Sequence, residues 1–258
     1  MIEVGVPAPG FALRDHFGRV LTLDRFRGRA HVMLLFYPLD FTPTCSEEAA
    51  AVERLLSRFR AAHTQVLGVS VDSEFCHANW GKELGGISFP LLADFHPKGA
   101  VATAYGLYLP QQGFADRATV IVDADGIVRY ALSVTPSGRR DVGELAAACA
   151  EIHRCYGRDL PPLPEPAPLE PGTVLYVRGW TGRSRVALLA RANLHLHDQL
   201  PVRNVRESAE ALEELRQATG AEVTPCLLRA GRPTYEPRVI AARLAQAAAP
   251  LPGERPPS

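Results

Sequence analysis

The chain has no surplus of either charge: 28 Lys and Arg stand against 28 Asp and Glu in 258 residues. That balance argues against the basic stripe of a nucleic-acid groove and the polybasic face of a membrane-surface protein. Long apolar runs are missing, so no helical membrane span is expected. The opening Met1-Ile2-Glu3-Val4-Gly5-Val6-Pro7 has no basic stretch followed by an apolar one, which argues against a secretory leader. The expected location is cytoplasmic. Cysteine is sparse: Cys45, Cys76, Cys149, Cys155 and Cys226, with no Cys-X-X-Cys pair. An odd, scattered set is not a disulfide framework, and the missing pair argues against a zinc knuckle. His195-Leu196-His197-Asp198 has no further ligands near it and reads as a surface turn. Gly179-Trp180-Thr181-Gly182-Arg183-Ser184 lacks the Lys and the spacing of a phosphate loop. No metal or cofactor is expected. Trp80 and Trp180 read as packing residues, and Arg139-Arg140 as solvated surface.

Proline is unevenly spread. Pro161, Pro162, Pro164, Pro166, Pro168 and Pro171 crowd residues 157–172, which rules out a helix and removes ladder donors. This segment reads as a semi-rigid linker between domains at 1–156 and 173–248, with a disordered tail at 249–258. In the first domain, Val32 to Phe36 suits a buried strand, and Ser46 to Ala62 has helical apolar spacing. Val66–Val71, Thr119–Val122 and Ile127–Ala131 read as strands. Phe75–Leu84 and Gly99–Tyr105 read as helices. Asp123-Ala124-Asp125-Gly126 reads as a hairpin turn, and Asp141 caps a helix running through Ile152. In the second domain, strands at Thr173–Val177, Leu200–Val205 and Cys226–Arg229 alternate with helices at Gly182–Ala192, Ser208–Thr219 and Pro237–Gln246. Both halves are α/β with a central mixed sheet, and the order of the second is the thioredoxin-like layout.

The chemistry centres on Pro38-Leu39-Asp40-Phe41-Thr42-Pro43-Thr44-Cys45. Cys45 follows a strand and a loop and opens a helix, whose free N–H groups and positive dipole end favour a thiolate. Thr42 supplies a hydroxyl near the sulfur, and Pro38 can wall the site off. Glu48, one turn on, can fix an arginine. Arg117, entering a later strand of the same sheet, presents a fork of donors suited to both thiolate and peroxide oxygens. A cysteine near a helix start is, taken alone, more often an inert buried residue. The surrounding strand, loop, motif, helix and arginine raise the functional reading.

These residues carry a resemblance. Val4 to Phe11, Phe36-Tyr37-Pro38 through Cys45, Ser70-Val71-Asp72-Ser73, Phe89 to Asp94, Gly99 to Gly106 and Arg117 to Asp123 together resemble peroxiredoxins of the alkyl hydroperoxide reductase E type, over nearly all of residues 1–155. The resemblance implies a thiol peroxidase with peroxidatic Cys45 and with Pro38, Thr42 and Arg117 as partners. It implies attack of the thiolate on the O–O bond, a sulfenic acid intermediate, a hydroperoxide substrate, an external thiol or redoxin as reductant, and a homodimer. A peroxide sensor signalling through the second domain is the rival reading.

Cys76, in Asp72-Ser73-Glu74-Phe75-Cys76-His77 after a strand of the same sheet, is a candidate resolving thiol. A small residue at a helix start is the equal alternative. Cys149 reads as core, and Cys155 as a minor candidate resolver. Residues 173–247 resemble glutaredoxins and the N-terminal domain of glutathione transferases, but Thr181-Gly182-Arg183-Ser184 holds no cysteine where that family has its redox pair. Val223-Thr224-Pro225 matches the family's cis-proline element, and Glu236 falls near the position that holds a glutathione amino group. Thr224, Pro225 and Glu236 are therefore the implied thiol-peptide contacts. Binding of a partner, or a decayed structural role, outweighs that reading. Ser184 could stand in for a thiol as a donor, and Cys226 reads as a buried strand thiol.

Overall fold

The computed structural model describes residues 1–180 and 182–254. The chain divides into two compact units. The first contains Met1–Trp80, Phe89–Pro164 and Leu251–Glu254; the second contains Gly81–Ser88 and Glu165–Pro250.

The first unit begins with strands β1 (Ala12–Asp15), β2 (Val20–Thr22) and β3 (His31–Phe36). Helices α1 (Pro43–Arg54) and α2 (Leu56–Ala61) follow, then β4 (Thr64–Ser70) and α3 (Glu74–Glu83), of which the part through Trp80 belongs to this unit. Next come β5 (Leu91–Ala93), α4 (Ala100–Ala104) and the small hairpin β6 (Tyr108–Leu109) and β7 (Phe114–Ala115). Strands β8 (Ala118–Val122) and β9 (Val128–Ser133) and helix α5 (Val142–Tyr156) complete it. The main sheet runs β2-β1-β5-β4-β3-β8-β9. Every residue of β3 is buried, as befits a central strand with both faces covered. It pairs parallel with β4 and antiparallel with β8. Asp141 caps α5 by accepting from Glu144 N at 3.1 Å.

The helix expected over Ser46–Ala62 differs in two ways. It starts earlier, because Pro43 suits a first helical position. It also breaks at Leu55, whose φ of −105° and ψ of 9° separate α1 from α2.

In the second unit, β10 (Val174–Val177), α6 (Arg183–Asn193), β11 (Val202–Asn204) and α7 (Ala209–Thr219) lead to β12 (Cys226–Arg229), β13 (Arg232–Thr234) and α8 (Pro237–Ala248). Its sheet order is β11-β10-β12-β13, with β11 parallel and β12 antiparallel to β10. Tyr176, Val205, Ala211, Leu215 and Cys226 form a core on one face.

Several expectations need correction. The tail from 249 is ordered through Glu254: Leu251 is only 1% exposed and joins the core of the first unit, and Glu254 pairs with Arg25 at 3.1 Å. An apolar anchor and a charge pair outweigh the proline-rich composition there. Arg255–Ser258 lie outside the described residues, as does Thr181 of the Thr181–Ser184 stretch. The linker is not free along its length either. Pro161 O meets His63 Nε2 at 2.9 Å, and Pro164 O accepts from Arg60 Nη2 at 3.1 Å. Trp80 packs as expected, but Trp180 is 57% exposed. Among the described residues no helix is long and apolar enough to cross a membrane.

Candidate active site

Topology gathers the site. β3 and β4 run parallel, so the chain leaves both at the same end of the strands. β8 is antiparallel to β3, with Phe36 opposite Ala118, so Arg117 enters at that same end. The loop after β3 turns at Phe41, whose φ is 59°, and delivers Thr42 as the cap residue of α1. Cys45 is the third residue of that helix and is 2% exposed.

Arg117 Nη1 lies 3.4 Å from Cys45 Sγ and donates to Glu48 Oε2 at 2.9 Å. The other edge of the same guanidinium donates to Pro136 O, from Nε at 3.2 Å and from Nη2 at 3.1 Å. Glu48 is also held by Arg140. That residue's Nη2 and Nε reach Oε2 at 2.6 and 3.0 Å, and its backbone N reaches Oε1 at 2.9 Å. Arg140 Nη1 donates further to Phe36 O and Ala118 O, locking the group onto the ends of β3 and β8. Burial acts to raise the Glu48 carboxyl, but the charge and hydrogen bonds of Arg140, with Arg117 behind them, hold it below its ordinary value. Burial acts on the Arg140 guanidinium in the opposite sense, lowering it, with Glu48 opposing.

Of the residues singled out in the sequence, Cys45, Glu48 and Arg117 are therefore in direct contact. Pro38 is buried in the loop before α1. The Thr42 hydroxyl donates to Leu39 O at 3.0 Å rather than to the sulfur, which leaves it as an acceptor. Arg140 was missed. The Arg139-Arg140 pair looked like solvated surface, and Arg139 is indeed exposed and paired with Glu47. Arg140, however, is only 8% exposed. Glu48, one turn after Cys45, was the only local signal: its two carboxylate oxygens have room for donors from a second arginine beside Arg117.

With this geometry in view, comparisons place the first unit. The AhpC/TSA family signature matches residues 4–131. Alkyl hydroperoxide reductase E of Mycobacterium tuberculosis is 40% identical over 141 residues, which is 55% of this chain and 92% of that relative. The mitochondrial thioredoxin-dependent peroxide reductase of Drosophila melanogaster is 37% identical over 54% of this chain and 62% of its own length. Among solved structures, the reduced 2-Cys peroxiredoxin of Plasmodium vivax aligns with a TM-score of 0.54 at 31% identity, over 60% of this chain and 99% of that one. The chain belongs to the AhpC/TSA family, the peroxiredoxins. Its first unit has the thioredoxin-like α/β fold of that family.

Elsewhere in the peroxiredoxin unit, Cys76 is the third residue of α3 and is half-buried. Its Sγ faces Asp72 Oδ1 at 3.7 Å. Burial first, then the Asp40 and Asp72 charges, push its thiol up to about 12. Asp40, Asp72 and Cys76 present possible ligand atoms within 4.8 Å of one another. Their carboxylates are already engaged. Tyr37 OH donates to Asp40 Oδ1 at 2.9 Å, His77 Nδ1 is 2.9 Å from Asp40 Oδ2, and Ser70 Oγ donates to Asp72 Oδ2 at 2.7 Å. The group is a hydrogen-bonded polar network joining the loop before α1 to the end of β4 and the start of α3. Cys149 is fully buried, which pushes its thiol up to about 12, and Cys155 is exposed beside Glu151.

In the second unit, the Thr224–Pro225 bond is cis. Glu236 is exposed at the cap of α8 and pairs with Arg183 at 3.3 Å. Ser184, a possible stand-in for a thiol as a donor, is buried, and its Oγ accepts from Arg178 N at 3.2 Å. Cys226 is buried in β12, and burial pushes its thiol up to about 11.

Proposed function

We propose that this chain is a thiol-dependent peroxidase that reduces hydrogen peroxide or organic hydroperoxides through Cys45. The reading rests on one observation above the others: the Arg117 guanidinium lies 3.4 Å from a buried sulfur at a helix start. An anionic sulfur there meets a permanent cation and the positive end of α1. In the reaction, Cys45 thiolate attacks one peroxide oxygen. An S–O bond forms as the O–O bond breaks. The departing oxygen takes up a proton and leaves as water or alcohol. Sulfur is oxidised by two electrons to a sulfenic acid and the peroxide is reduced by two. Arg117 steadies the charge that develops on the leaving oxygen, and Thr42 accepts a hydrogen bond from the incoming peroxide.

The sulfenic acid is reduced from outside the chain by a low-molecular-weight thiol or a redoxin. A first thiol condenses with it, releasing water, and a second thiol cleaves the mixed disulfide. The state of Cys76 favours this over internal resolution, because a thiol raised to about 12 holds almost no thiolate near neutrality. The second unit we read as a glutaredoxin-like domain without its redox pair. Its sheet order, β11-β10-β12-β13, supports that reading. Thr224, Pro225 and Glu236 would be its contacts for a thiol peptide.

Steady-state peroxide consumption with glutathione, a mycothiol-type thiol or thioredoxin, tried in turn on the full chain, tests the cycle. Sustained turnover with at least one is expected. One oxidation that then stalls with every reductant would fit a peroxide sensor instead.

A further inference from the structure

Arg117 is fixed from two sides, and only one of them is the thiol site. Its backbone N–H donates to Asp116 Oδ1 at 2.8 Å. The second oxygen of that carboxylate accepts from Ser133 Oγ at 2.5 Å. The Ser133 hydroxyl oxygen accepts in turn from Thr135 N at 3.0 Å. Thr135 has a φ of 63°, a left-handed conformation that β-branched residues rarely adopt. With the chain turned there, the carbonyl of the next residue, Pro136, meets the guanidinium and accepts from both Nε and Nη2. A carbonyl carries no net charge, so it orients the fork without cancelling its charge. The free edge, Nη1, is left on Glu48 and Cys45.

The strands make this arrangement possible. Ser133 ends β9 opposite Ala118 at the start of β8, and Val134 N donates to Arg117 O at 3.0 Å. The turn after β9 is thus built directly over Arg117. The hydrogen bonds of the Asp116 carboxylate and the Ser133 hydroxyl go to the backbone of Arg117 and Thr135 and to each other, not to the sulfur.

We propose that Asp116 and Ser133 are positioning residues for the peroxide reaction: they hold the Ser133–Pro136 turn in its left-handed form, and that turn aims the Arg117 guanidinium at Cys45. The inference rests on the reading of Cys45 as the peroxide-reacting thiol. Without the Ser133 hydroxyl, the turn loses the bond that fixes Thr135, and the Pro136 carbonyl no longer has a single position. Arg117 then keeps its charge but loses its aim.

Two readouts on the full chain test this. One is the rapid-mixing rate of Cys45 oxidation by hydrogen peroxide. The other is the pH dependence of Cys45 alkylation by iodoacetamide, followed on the Cys45 peptide by mass spectrometry so that the other thiols do not interfere. Ser133→Ala is expected to slow oxidation about tenfold and to raise the pH of half-alkylation by about one unit. Asp116→Asn should move both the same way, and Ser133→Thr, which keeps the hydroxyl, should restore both. A folded Ser133→Ala protein with parental rate and pH profile would overturn the proposal. So would a Ser133→Thr protein as impaired as Ser133→Ala, since packing and not the hydroxyl would then matter. Should Ser133→Ala fail to fold, Asp116→Asn is judged by the same two readouts. Failure of the underlying reading looks different: Cys45→Ser would then still reduce peroxide at the parental rate.

Discussion

At the scale of single residues, charge count around the sulfur governs the site. Cys45, Glu48, Arg117 and Arg140 share one buried cluster. With a protonated thiol the cluster carries one net positive charge; with a thiolate it is neutral. Glu48 is the keystone, because without it two guanidiniums face each other out of water. Glu48→Gln should cost about 3–5 kcal/mol in denaturant unfolding and should slow peroxide reduction. A stability change near zero would show that the pair is not buried as described. A second residue predicts a pH effect. His31 Nδ1 accepts from Ala124 N at 3.1 Å, which puts its hydrogen on Nε2, 3.2 Å from His153 Nδ1. Burial, then the neighbouring His153, lowers its pKa from 6.5 to about 4. The folded value lies below the unfolded one, so the unfolded chain binds more protons between these pH values. Stability should therefore fall as pH drops from about 6.5 to about 4, by up to roughly 3 kcal/mol. Thermal melts from pH 7 to 4 check this, and His31→Gln should flatten that acid limb.

Among elements, α1 and the C-terminal segment show what the sequence can and cannot disclose. The strand before Cys45, the helix after it and the return of Arg117 were readable, because each rests on local periodicity or on a motif within a few residues. The position of Cys45 in the first turn of α1 follows from Pro43, a local signal. Arg140 and Leu251 were not readable, because their partners are distant in the chain. Arg139 and Arg140 are identical in type and adjacent, yet one faces Glu47 at the surface and the other Glu48 in the interior. Helix geometry separates those glutamates by about 100°, and only the packed structure tells which arginine meets which. Leu251 sits in a proline-rich tail, and composition alone gives no sign that it joins the core cluster of the first unit. Leu251→Ala should destabilise the first unit by about 2–4 kcal/mol, read as a lower unfolding midpoint. An unchanged midpoint would mean the segment contributes nothing there. In the second unit the strands and helices were likewise readable in outline, whereas the burial of Ser184 depends on its acceptance from Arg178 N.

At the scale of the whole molecule, the chain joins a peroxiredoxin unit to a second α/β unit that lacks cysteines at the start of its first helix. The first unit supplies the attack on peroxide. No internal thiol is well suited to the second half of the cycle: Cys149 and Cys226 are buried, Cys76 is raised to about 12, and the exposed Cys155 is raised by its hydrogen bond to Glu151. Mass spectrometry after one equivalent of peroxide should therefore find a sulfenic acid at Cys45, or its adduct with an added thiol. A Cys45–Cys76 disulfide would transfer resolution to the chain itself. Calorimetry of the full chain with glutathione tests the second unit, where Thr224→Ala or Glu236→Gln should weaken any heat observed if those residues are its contacts. The most direct test of the central claim compares the parent with Cys45→Ser in a rapid-mixing reaction with hydrogen peroxide, in the absence of reductant. The account predicts consumption of one peroxide per chain by the parent, oxidation confined to Cys45, and no reaction above background in Cys45→Ser. Peroxide consumption by Cys45→Ser at the parental rate would contradict it.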